Sequence, residues 1–392
     1  MGIIKNTFEL FGFEPLETPA LEYQEVLLGK YGTEADKLVY KFKDLGGRAV
    51  ALRYDQTVPT ARVLAQYYNR LPMPFRRYQI QPVWRAEKPQ KGRFREIMQC
   101  DADIFGSASP LADAEIIALA NSVFKNLGFK NFKIFINDRR ILFELMNNAK
   151  IPEDLQLSVI TTIDKLDRRT KEETETELIE KGLSKDTVAR LFEQIDQSTP
   201  TENVTATINY SGFLGVEKDK LLFQARLARG LDYYTATIFE FKIDEYKAGS
   251  VAGGGRYDKL VEQLSGIPIA AVGIAFGVDR IIEAIDQLKL MPLQGLKSSV
   301  LVSVFDPSLA EMSAVLVQNL RENKIIAEIF PDETTKLAKQ LKYADKKGIE
   351  RLIVIGPDEV KKDTVVLKNL KTGRQVDVPL KNLVEEIKKG KS

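Results

Sequence analysis

The spacing of apolar residues changes within the first part of the chain, which predicts a short helix followed by extended backbone. The segment from Ile3 to Phe11 has helical spacing and ends in a turn at Gly12. Beyond that turn, Pro15 and Pro19 favour an extended chain. The chain therefore opens with a helix, a turn and a proline-bearing strand.

A strand and a helix follow, with polar residues where the strand ends. Residues 48–54 predict the strand, and a helix is predicted after Pro59. The polar residues 54–57 lie between them. Polar side chains at the end of a strand often line a binding site, but Asp55 and Thr57 taken alone fit a helix cap equally well.

A hairpin with a basic tip is predicted next. Residues 75–85 and 94–106 have strand-like patterns, and the charged segment EKPQKGR lies between them. The acidic residue Glu87 is outnumbered by basic residues in this region, which are Arg76, Arg77, Arg85, Lys88, Lys91, Arg93 and Arg95. Such a run is more often a solvated surface than a nucleic-acid site, although its placement on a loop favours binding.

The rest of the chain alternates helical and strand patterns and divides into four segments. Residues 150–212 are polar and rich in helical spacing, which indicates an inserted helical module between the segments 1–149 and 213–291. The sequence MPLQGLKSS marks a linker. In the segment 298–392, strands and helices alternate, which predicts a small parallel α/β domain with two further strands and a final helix.

The composition limits the cellular locations in which the protein is expected. Hydrophobic residues make up 44% and charged residues 29% of the chain, and its formal net charge is +2, all ordinary for a globular protein. The apolar run IPIAAVGIAFGV is too short to span a bilayer, and no secretion signal pattern is seen. We therefore expect a cytoplasmic protein with no membrane association.

The counts of cysteine and histidine exclude several chemistries. Cys100 is the single cysteine, which excludes an intrachain disulfide framework and a cysteine-based zinc cage, so we expect it to be a small apolar filler. The chain has no histidine, which removes histidine-based hydrolysis, imidazole general bases and His-ligated zinc. The remaining chemistry depends on carboxylates, arginines, hydroxyls and magnesium.

Five ordered segments resemble class II aminoacyl-tRNA synthetases. Residues 11–22 resemble motif 1, residues 75–106 motif 2 and residues 271–282 motif 3. LARGLDYY at 227–234 and AGGGRYD at 252–258 are similar to the two signature peptides of the histidyl-tRNA synthetases. The resemblance implies an antiparallel-sheet catalytic domain of class II type with a helical insertion, an α+β and α/β multidomain architecture that ends in an α/β anticodon-binding domain.

The resemblance also implies a set of residues that bind L-histidine. Asp55, Thr57 and Gln99 match positions that hold the α-amino group, and Asp103 and Tyr234 match positions that contact the imidazole. A neutral imidazole has one donor and one acceptor nitrogen, which suits an acid paired with a hydroxyl. The supporting walls of the pocket are expected from two further aromatic residues, Tyr233 and Tyr257. Each of these aromatics fits a packed core with a satisfied hydroxyl as well.

ATP-binding residues are implied in the same way. Arg85 matches the arginine at the α-phosphate, Glu87 an acid near adenine, and Arg93 an arginine near the terminal phosphates. Arg280 matches the arginine that stacks on adenine, and Arg229 matches an arginine between the substrate carboxylate and the α-phosphate. Arg229 and Arg85 are thus the expected catalytic residues, since forked donors suit a crowded anionic transition state.

The implied reaction is ATP-dependent formation of histidyl-adenylate and its transfer to the 3′ end of tRNA(His). Magnesium is expected with ATP, and its protein ligands are not named by the sequence. A homodimer is expected because class II enzymes use motif 1 as a dimer seam and because apolar residues are concentrated there, namely Ile3, Ile4, Phe8, Leu10, Phe11 and Phe13. The alternative is that these side chains pack within their own subunit.

Two other functions are compatible with a fold of this kind. One is the noncatalytic regulatory subunit of ATP phosphoribosyltransferase, and the other is a sensor that binds uncharged tRNA without chemistry. The first usually lacks the anticodon-binding domain. This chain retains Arg85, Arg229 and Arg280 together with a complete carboxyl-terminal segment, which favours the enzyme.

Overall fold

The computed structural model of the chain describes residues 1–28, 39–86, 94–164, 166, 169–229, 233–291 and 300–389. The chain forms two compact units, residues 1–291 and 292–392. Each unit has a hydrophobic core of its own.

The first unit contains both helices and strands in each half. Its helices are α1 (Gly2–Leu10), α2 (Gln24–Leu27), α3 (Thr57–Tyr67), α4 (Pro110–Asn126), α5 (Arg139–Asn148), α6 (Glu153–Asp164), α7 (Lys171–Glu180), α8 (Lys185–Gln197), α9 (Glu202–Phe213), α10 (Leu260–Ser265) and α11 (Val278–Gln287). Its strands are β1 (Glu14–Pro15), β2 (Leu21–Tyr23), β3 (Lys41–Lys43), β4 (Ala49–Leu52), β5 (Phe75–Trp84), β6 (Glu96–Phe105), β7 (Phe132–Asp138), β8 (Leu221–Phe223), β9 (Thr237–Ile243), β10 (Ala252–Arg256) and β11 (Ala271–Gly277).

Local sequence signals explain where several helices begin and end. The side chain of Ser109 caps α4 and Pro110 occupies its first turn, while Gly128 with φ +88° follows its end. The prediction for α3 was displaced by three residues, because the helix starts at Thr57 and includes Pro59. A proline is tolerated there, since the first backbone N–H groups of a helix have no partner within the helix.

An eight-stranded sheet forms the centre of the first unit, in the order β1-β5-β6-β11-β10-β9-β7-β8. Most neighbouring strands are antiparallel, and the predicted hairpin of β5 and β6 is confirmed. Side chains of successive residues point to opposite faces of a sheet. One face carries apolar residues such as Cys100, Ile274 and Phe239, which pack with α1, α4 and α11 into the main core.

The single cysteine lies in that core. Cys100 is buried, and burial raises the pKa of its thiol to about 12. The prediction of a small apolar filler is confirmed.

The predicted helix-rich segment is present as α6 to α9. Leu178, Leu191 and Ile160 belong to an apolar cluster that also includes residues of α5. The helix α7 begins with a capping box, in which the Thr170 hydroxyl accepts from the backbone of Glu173 and the Glu173 carboxylate accepts from the backbone of Thr170.

The second unit has a five-stranded sheet with the order β13-β12-β14-β15-β16. Its elements are β12 (Val300–Val302), α12 (Ala310–Glu322), β13 (Ala327–Ile329), α13 (Leu337–Lys347), β14 (Arg351–Val354), α14 (Pro357–Lys362), β15 (Thr364–Asn369), β16 (Gln375–Pro379) and α15 (Leu383–Lys389). The strands β12, β13 and β14 are parallel, as predicted, but β15 and β16 are antiparallel. The turn between these last two strands, with Gly373 at φ +73°, is too short for a parallel crossover.

A separate three-stranded sheet, in the order β2-β4-β3, presents apolar side chains to solvent. Leu21 and Tyr23 of β2 and Phe42 of β3 are exposed on one face of this sheet, which we call the apolar face. Leu10 of the helix α1 is also exposed, at 79%. No described helix is long and apolar enough to cross a membrane.

Part of the expected dimer seam is covered within the subunit. Ile4, Phe8 and Phe13 are buried in the main core, so the expectation that they offer surface to a partner was wrong. The helix α1 lies against the sheet and α4, which turns one of its faces inward. Ile3 and Leu10 remain exposed, whereas Phe11 is partly buried against the core.

Candidate active site

The face of the eight-stranded sheet opposite the core is polar, and we call it the polar face. Strands β5 and β6 contribute alternate residues to it, which are Arg77, Gln79, Gln81, Gln99, Asp101 and Asp103. The neighbouring strands contribute glycines in the same register, because Asp103 pairs with Gly273 and Gly273 with Gly255. Missing side chains on two adjacent strands leave room above the sheet for ligands and for side chains from elsewhere.

Two positions of the polar face require glycine, because side chains from elsewhere in the chain lie very close to the backbone there. A Cβ atom on Gly253 would overlap Nη1 of Arg229, and one on Gly273 would overlap Oδ1 of Asp103. The glycine-rich segment is therefore a strand, β10, and not the tight turn or bulge that glycines alone often indicate.

The turn before α3 brings Asp55 and Thr57 to this face. Both residues are buried. Asp55 Oδ1 accepts from the backbone N–H of Val58 at 3.3 Å, so this carboxylate also caps the helix. Gln56 fixes the turn to the hairpin, because its Nε2 donates to the backbone oxygen of Gln81 at 2.7 Å.

Arg85 connects the turn before α3 with the strand β6. Its Nε donates to the backbone oxygen of Tyr54 at 3.1 Å, and its Nη2 donates to Oε1 of Gln99 at 3.2 Å. The amide of Gln99 is thereby oriented, and its Nε2 donates to Asp101 Oδ1 at 3.2 Å. The guanidinium of Arg85 is only partly buried, which leaves it able to meet an anion.

Asp103, like Asp101, is almost completely enclosed. It is 2% exposed, and its Oδ1 accepts a short hydrogen bond from the hydroxyl of Tyr257. Its Oδ2 lies 2.6 Å from Nη2 of Arg77 in an ion pair. The alignment of this second contact falls outside ordinary hydrogen-bond geometry, so the attraction is mainly electrostatic.

Three tyrosines form a cluster, and one of them, Tyr257, contacts Asp103. The rings of Tyr233 and Tyr234 lie 4.6 Å apart, and Tyr233 meets Tyr257 edge to face at 5.7 Å. Burial raises the pKa of Tyr233 and of Tyr257 well above the usual range, so both hydroxyls keep their protons. They can therefore act as hydrogen-bond donors at neutral pH.

The charge of the neighbouring carboxylates is controlled by burial and by Arg77. Burial raises the pKa of Asp101 to about 8, with Arg77 acting in the opposite direction and with Asp103 and Asp55 adding to the increase. Burial likewise raises the pKa of Asp103, while Arg77 and the Tyr257 hydroxyl oppose that increase. Since Arg77 contributes a single positive charge, it cannot compensate three acids fully.

Two further arginines lie near the polar face. Arg229 is placed over Gly253, where its Nη1 donates to the backbone oxygen of Phe239 at 3.3 Å, and its guanidinium lies 5.8 Å from the ring of Tyr234. Arg280 lies in the first turn of α11, and its Nη1 donates to the backbone oxygen of Ser250 at 2.7 Å. Each guanidinium is thus oriented by a backbone carbonyl.

The structure brings most of the expected site residues together. Contacts or register connect the group to the polar face and its rim, namely Asp55, Arg85, Gln99, Asp103, Arg229, Tyr233, Tyr234, Tyr257 and Arg280. Thr57 is buried and begins the helix that follows Asp55. Glu87 and Arg93 lie outside the described residues. The basic run does not act as one surface, since Arg76 pairs with Glu115 at 2.7 Å and Arg77 is buried.

Two residues of the polar face were missed by sequence reasoning. The sequence analysis counted Arg77 as part of a basic run and did not consider Asp101. Both side chains lie on the polar face. Strand alternation could have identified both residues, because residues of β5 and β6 that are an even number of positions from Gln99 lie on the same face of the sheet.

A cavity of about 760 Å³ lies beside Tyr234. It is lined by Arg139, Phe143, Asn147, Glu153, Gln156, Leu157 and Tyr234, so α5 and α6 form most of its wall. The described residues include no group of three or more acidic or cysteine side chains that could hold a metal ion.

Family models match both units of the chain. The model described as histidyl-tRNA synthetase matches residues 3–281, and the model described as an anticodon-binding domain matches residues 299–390. Together they cover both the polar face and the second unit.

Curated relatives and solved structures agree with these matches. The chain is 41% identical to the histidine--tRNA ligase of Gloeobacter violaceus, over 96% of this chain and 91% of that protein. It is 38% identical to that of Cytophaga hutchinsonii, over 98% and 94%. The crystal structure of histidyl-tRNA synthetase from Nostoc sp. PCC 7120 is similar with a TM-score of 0.82 and 30% identity, over 99% of this chain and 94% of that one.

Proposed function

Since the chain belongs to the histidyl-tRNA synthetase family, we propose that its polar face binds L-histidine and ATP side by side and joins them. The protein is an aminoacyl-tRNA ligase that uses ATP as a substrate to attach histidine to tRNA. The two other functions considered from the sequence do not fit as well, because the curated relatives that match nearly the whole chain are named as ligases.

The histidine pocket is proposed to lie between Asp103 and the tyrosines. Asp103 accepts from the N–H of a neutral imidazole, and the hydroxyl of Tyr234 donates to its other nitrogen. Tyr233 and Tyr257 form the walls. Asp55, Thr57 and Gln99 receive the α-amino group, whose positive charge suits a rim with a carboxylate and an amide oxygen.

Adenylation is proposed to occur between the arginines. The carboxylate of histidine attacks the α-phosphorus of ATP, the bond to the β-phosphate oxygen breaks, and pyrophosphate leaves. Arg85 and Arg229 donate to the oxygens on which charge accumulates. The observation that carries this proposal is the placement of Arg229 over Gly253, on the same face as Arg85 and Asp103.

ATP is proposed to be held at the edge of the site by Arg280, which stacks on adenine, and by Glu87 and Arg93. Mg²⁺ is proposed to enter as the counter-ion of ATP and pyrophosphate, because it prefers phosphate oxygens and retained water. No step is assigned to particular protein ligands of the ion.

Transfer to tRNA is proposed to use the 3′ hydroxyl of the terminal adenosine, which attacks the carbonyl carbon of the adenylate and releases AMP. The chain has no histidine to serve as a general base. The second unit, matched by the anticodon-binding model, is proposed to recognise tRNA(His). A homodimer and a cytoplasmic location remain predictions.

Amino-acid-dependent exchange between ATP and pyrophosphate tests the assignment. Each of the twenty amino acids is supplied separately, and we expect histidine alone to support rapid exchange. An apolar side chain would offer no hydrogen-bond partner to Asp103 or to the hydroxyl of Tyr234, and an enzyme built to hydrogen-bond its substrate rejects such a side chain by about 10⁴-fold. Fastest exchange with proline, threonine or glycine would refute the histidine pocket, and no exchange with any amino acid would favour a regulatory or sensor function.

A further inference from the structure

Arg77 is buried at the base of the polar face, where it cannot touch a substrate. It lies in the middle of β5, directly opposite Asp103 of β6, and is 0% exposed. Its Nη1 donates to Oε1 of Gln79 at 3.0 Å, and its Nη2 lies 2.6 Å from Oδ2 of Asp103. Any effect of Arg77 on catalysis must therefore pass through another residue.

Asp103 is the residue through which it can act. The Arg77 guanidinium occupies one side of the carboxylate at Oδ2, and the Tyr257 hydroxyl occupies Oδ1. An ionised carboxylate offers about four acceptor positions, so these two contacts leave capacity for at least one more donor. The two contacts also restrict the rotation of the side chain, which fixes the direction in which that capacity points.

We propose that Arg77 is a positioning residue for histidine recognition, holding Asp103 ionised and oriented so that it accepts a proton-bearing nitrogen of a neutral imidazole. This proposal rests on the proposed function, in which Asp103 contacts the imidazole. Without Arg77, burial favours the protonated acid, which donates a hydrogen bond where an acceptor is needed. The imidazole N–H then loses its acceptor.

The charged and titratable groups around Asp103 support this division of tasks. Arg77 faces it from β5, Asp101 lies on its own strand, and Tyr257 faces it from the segment after β10. Burial raises the pKa of Asp103, and among the groups that oppose the increase Arg77 is first and the Tyr257 hydroxyl second. Removal of Arg77 therefore raises the pKa of Asp103 further.

The experiment measures histidine-dependent exchange between ATP and pyrophosphate at pH values from 6.5 to 9. The variants are Arg77→Met, which removes the charge, and Arg77→Lys, which keeps it. Arg76→Met is the matched control, because Arg76 is the adjacent residue on β5 and pairs with Glu115 instead. The KM for histidine, the KM for ATP and kcat are determined for each.

At neutral pH we expect Arg77→Met to raise the KM for histidine by about 10- to 100-fold, the range expected when a buried hydrogen bond is left unpaired. The KM for ATP should remain within threefold. As pH rises, Asp103 ionises even without Arg77, so the ratio of the variant's histidine KM to that of the parent should fall. Taking this ratio cancels the titration of free histidine. Arg77→Lys should restore most of the affinity, and Arg76→Met should show no pH-dependent ratio.

A ratio that stays constant with pH, or an equal loss of ATP affinity, would mean that Arg77 only supports the fold and would overturn the proposal. If Arg77→Met does not fold, the double variant Arg77→Met/Asp103→Asn, which leaves no unpaired charge, is compared with Asp103→Asn. Equal histidine KM values for these two support the proposal, and a further increase in the double variant overturns it. If the double variant also fails to fold, Arg77→Lys decides, since a pH-independent loss of histidine affinity there overturns it. Absence of histidine-dependent exchange in the parent protein would instead refute the proposed function.

Discussion

Arginine side chains have two different tasks in this chain, and their partners determine which. Arg256 is buried in a network with Asp113 at 2.5 Å and the backbone oxygen of Ser107 at 2.8 Å, which attaches β10 to the start of α4. Its side chain lies on the core side of the sheet. Arg229 lies on the polar face instead, where its Nη1 donates to the backbone oxygen of Phe239, and a guanidinium has further N–H donors that can meet a ligand.

Gly253 makes the position of Arg229 possible, which leads to a prediction at the residue scale. In Gly253→Ala the new methyl group would overlap the guanidinium of Arg229, the flexible end of a long side chain. We expect the side chain to move, so that the free energy of unfolding changes by less than about 1 kcal/mol while the rate of adenylate formation falls about 100-fold, as in Arg229→Ala. Thermal unfolding and single-turnover adenylate formation measure the two effects.

Gly212→Ala is the matched control for this substitution. Gly212 lies in α9, where a methyl group would meet nothing within 4 Å. Its replacement should leave activity unchanged and stabilise the helix by about 0.5–1 kcal/mol. Adenylate formation by Gly253→Ala within threefold of the parent would show that the position of Arg229 does not control the chemistry.

At the scale of elements, alternation along a strand separates core from site. Cys100 and Ala102 of β6 enter the main core, while Gln99, Asp101 and Asp103 point to the polar face. The same alternation leaves the small sheet β2-β4-β3 with its apolar face exposed. An exposed apolar face of this kind is typical of a surface that a partner covers.

The apolar face predicts where two copies of the chain associate. Phe42→Lys should weaken a homodimer by about 10- to 100-fold, since burial of a phenylalanine side chain contributes about 1.5–3 kcal/mol. Phe213→Lys is the control, because Phe213 is exposed at the end of α9, a helix that packs against α4 and β7. Sedimentation velocity across a range of concentrations measures the association, and an unchanged dimer in Phe42→Lys would place the interface elsewhere.

At the scale of the whole molecule, the chain consists of two units with independent cores. The apolar clusters of the second unit contain only residues from Val300 onward, and Leu290 and Met291 pack against the main core of the first. A chain that ends at Met291 therefore keeps the first core complete.

Truncation after Met291 should separate activation from transfer. We expect the shortened protein to support histidine-dependent exchange within about threefold of the parent but to charge tRNA at least 10-fold less efficiently, since the unit matched by the anticodon-binding model is lost. Both activities are measured on the same preparation. Normal charging by the truncated protein would contradict this division between the units.

The sequence alone predicted most of the elements and named most of the residues that the fold brings to the polar face. The period-2 pattern on either side of a basic loop predicted the hairpin of β5 and β6, because side-chain alternation is a property of the backbone. Resemblance to family motifs identified Asp55, Arg85, Gln99 and Asp103, which the fold brings close together. The sequence could not rank the arginines of the basic run, since residue type alone does not reveal which ones are paired.

Tertiary structure decided which groups meet across strands. The register of β5 against β6 sets Arg77 opposite Asp103, so a side chain that belonged to a basic run became a buried counter-ion. The packing of α1 buries Phe8, which the sequence analysis had predicted to contact a partner subunit. Charge state and burial depend on neighbours distant in sequence, and those neighbours exist only after the sheet has formed.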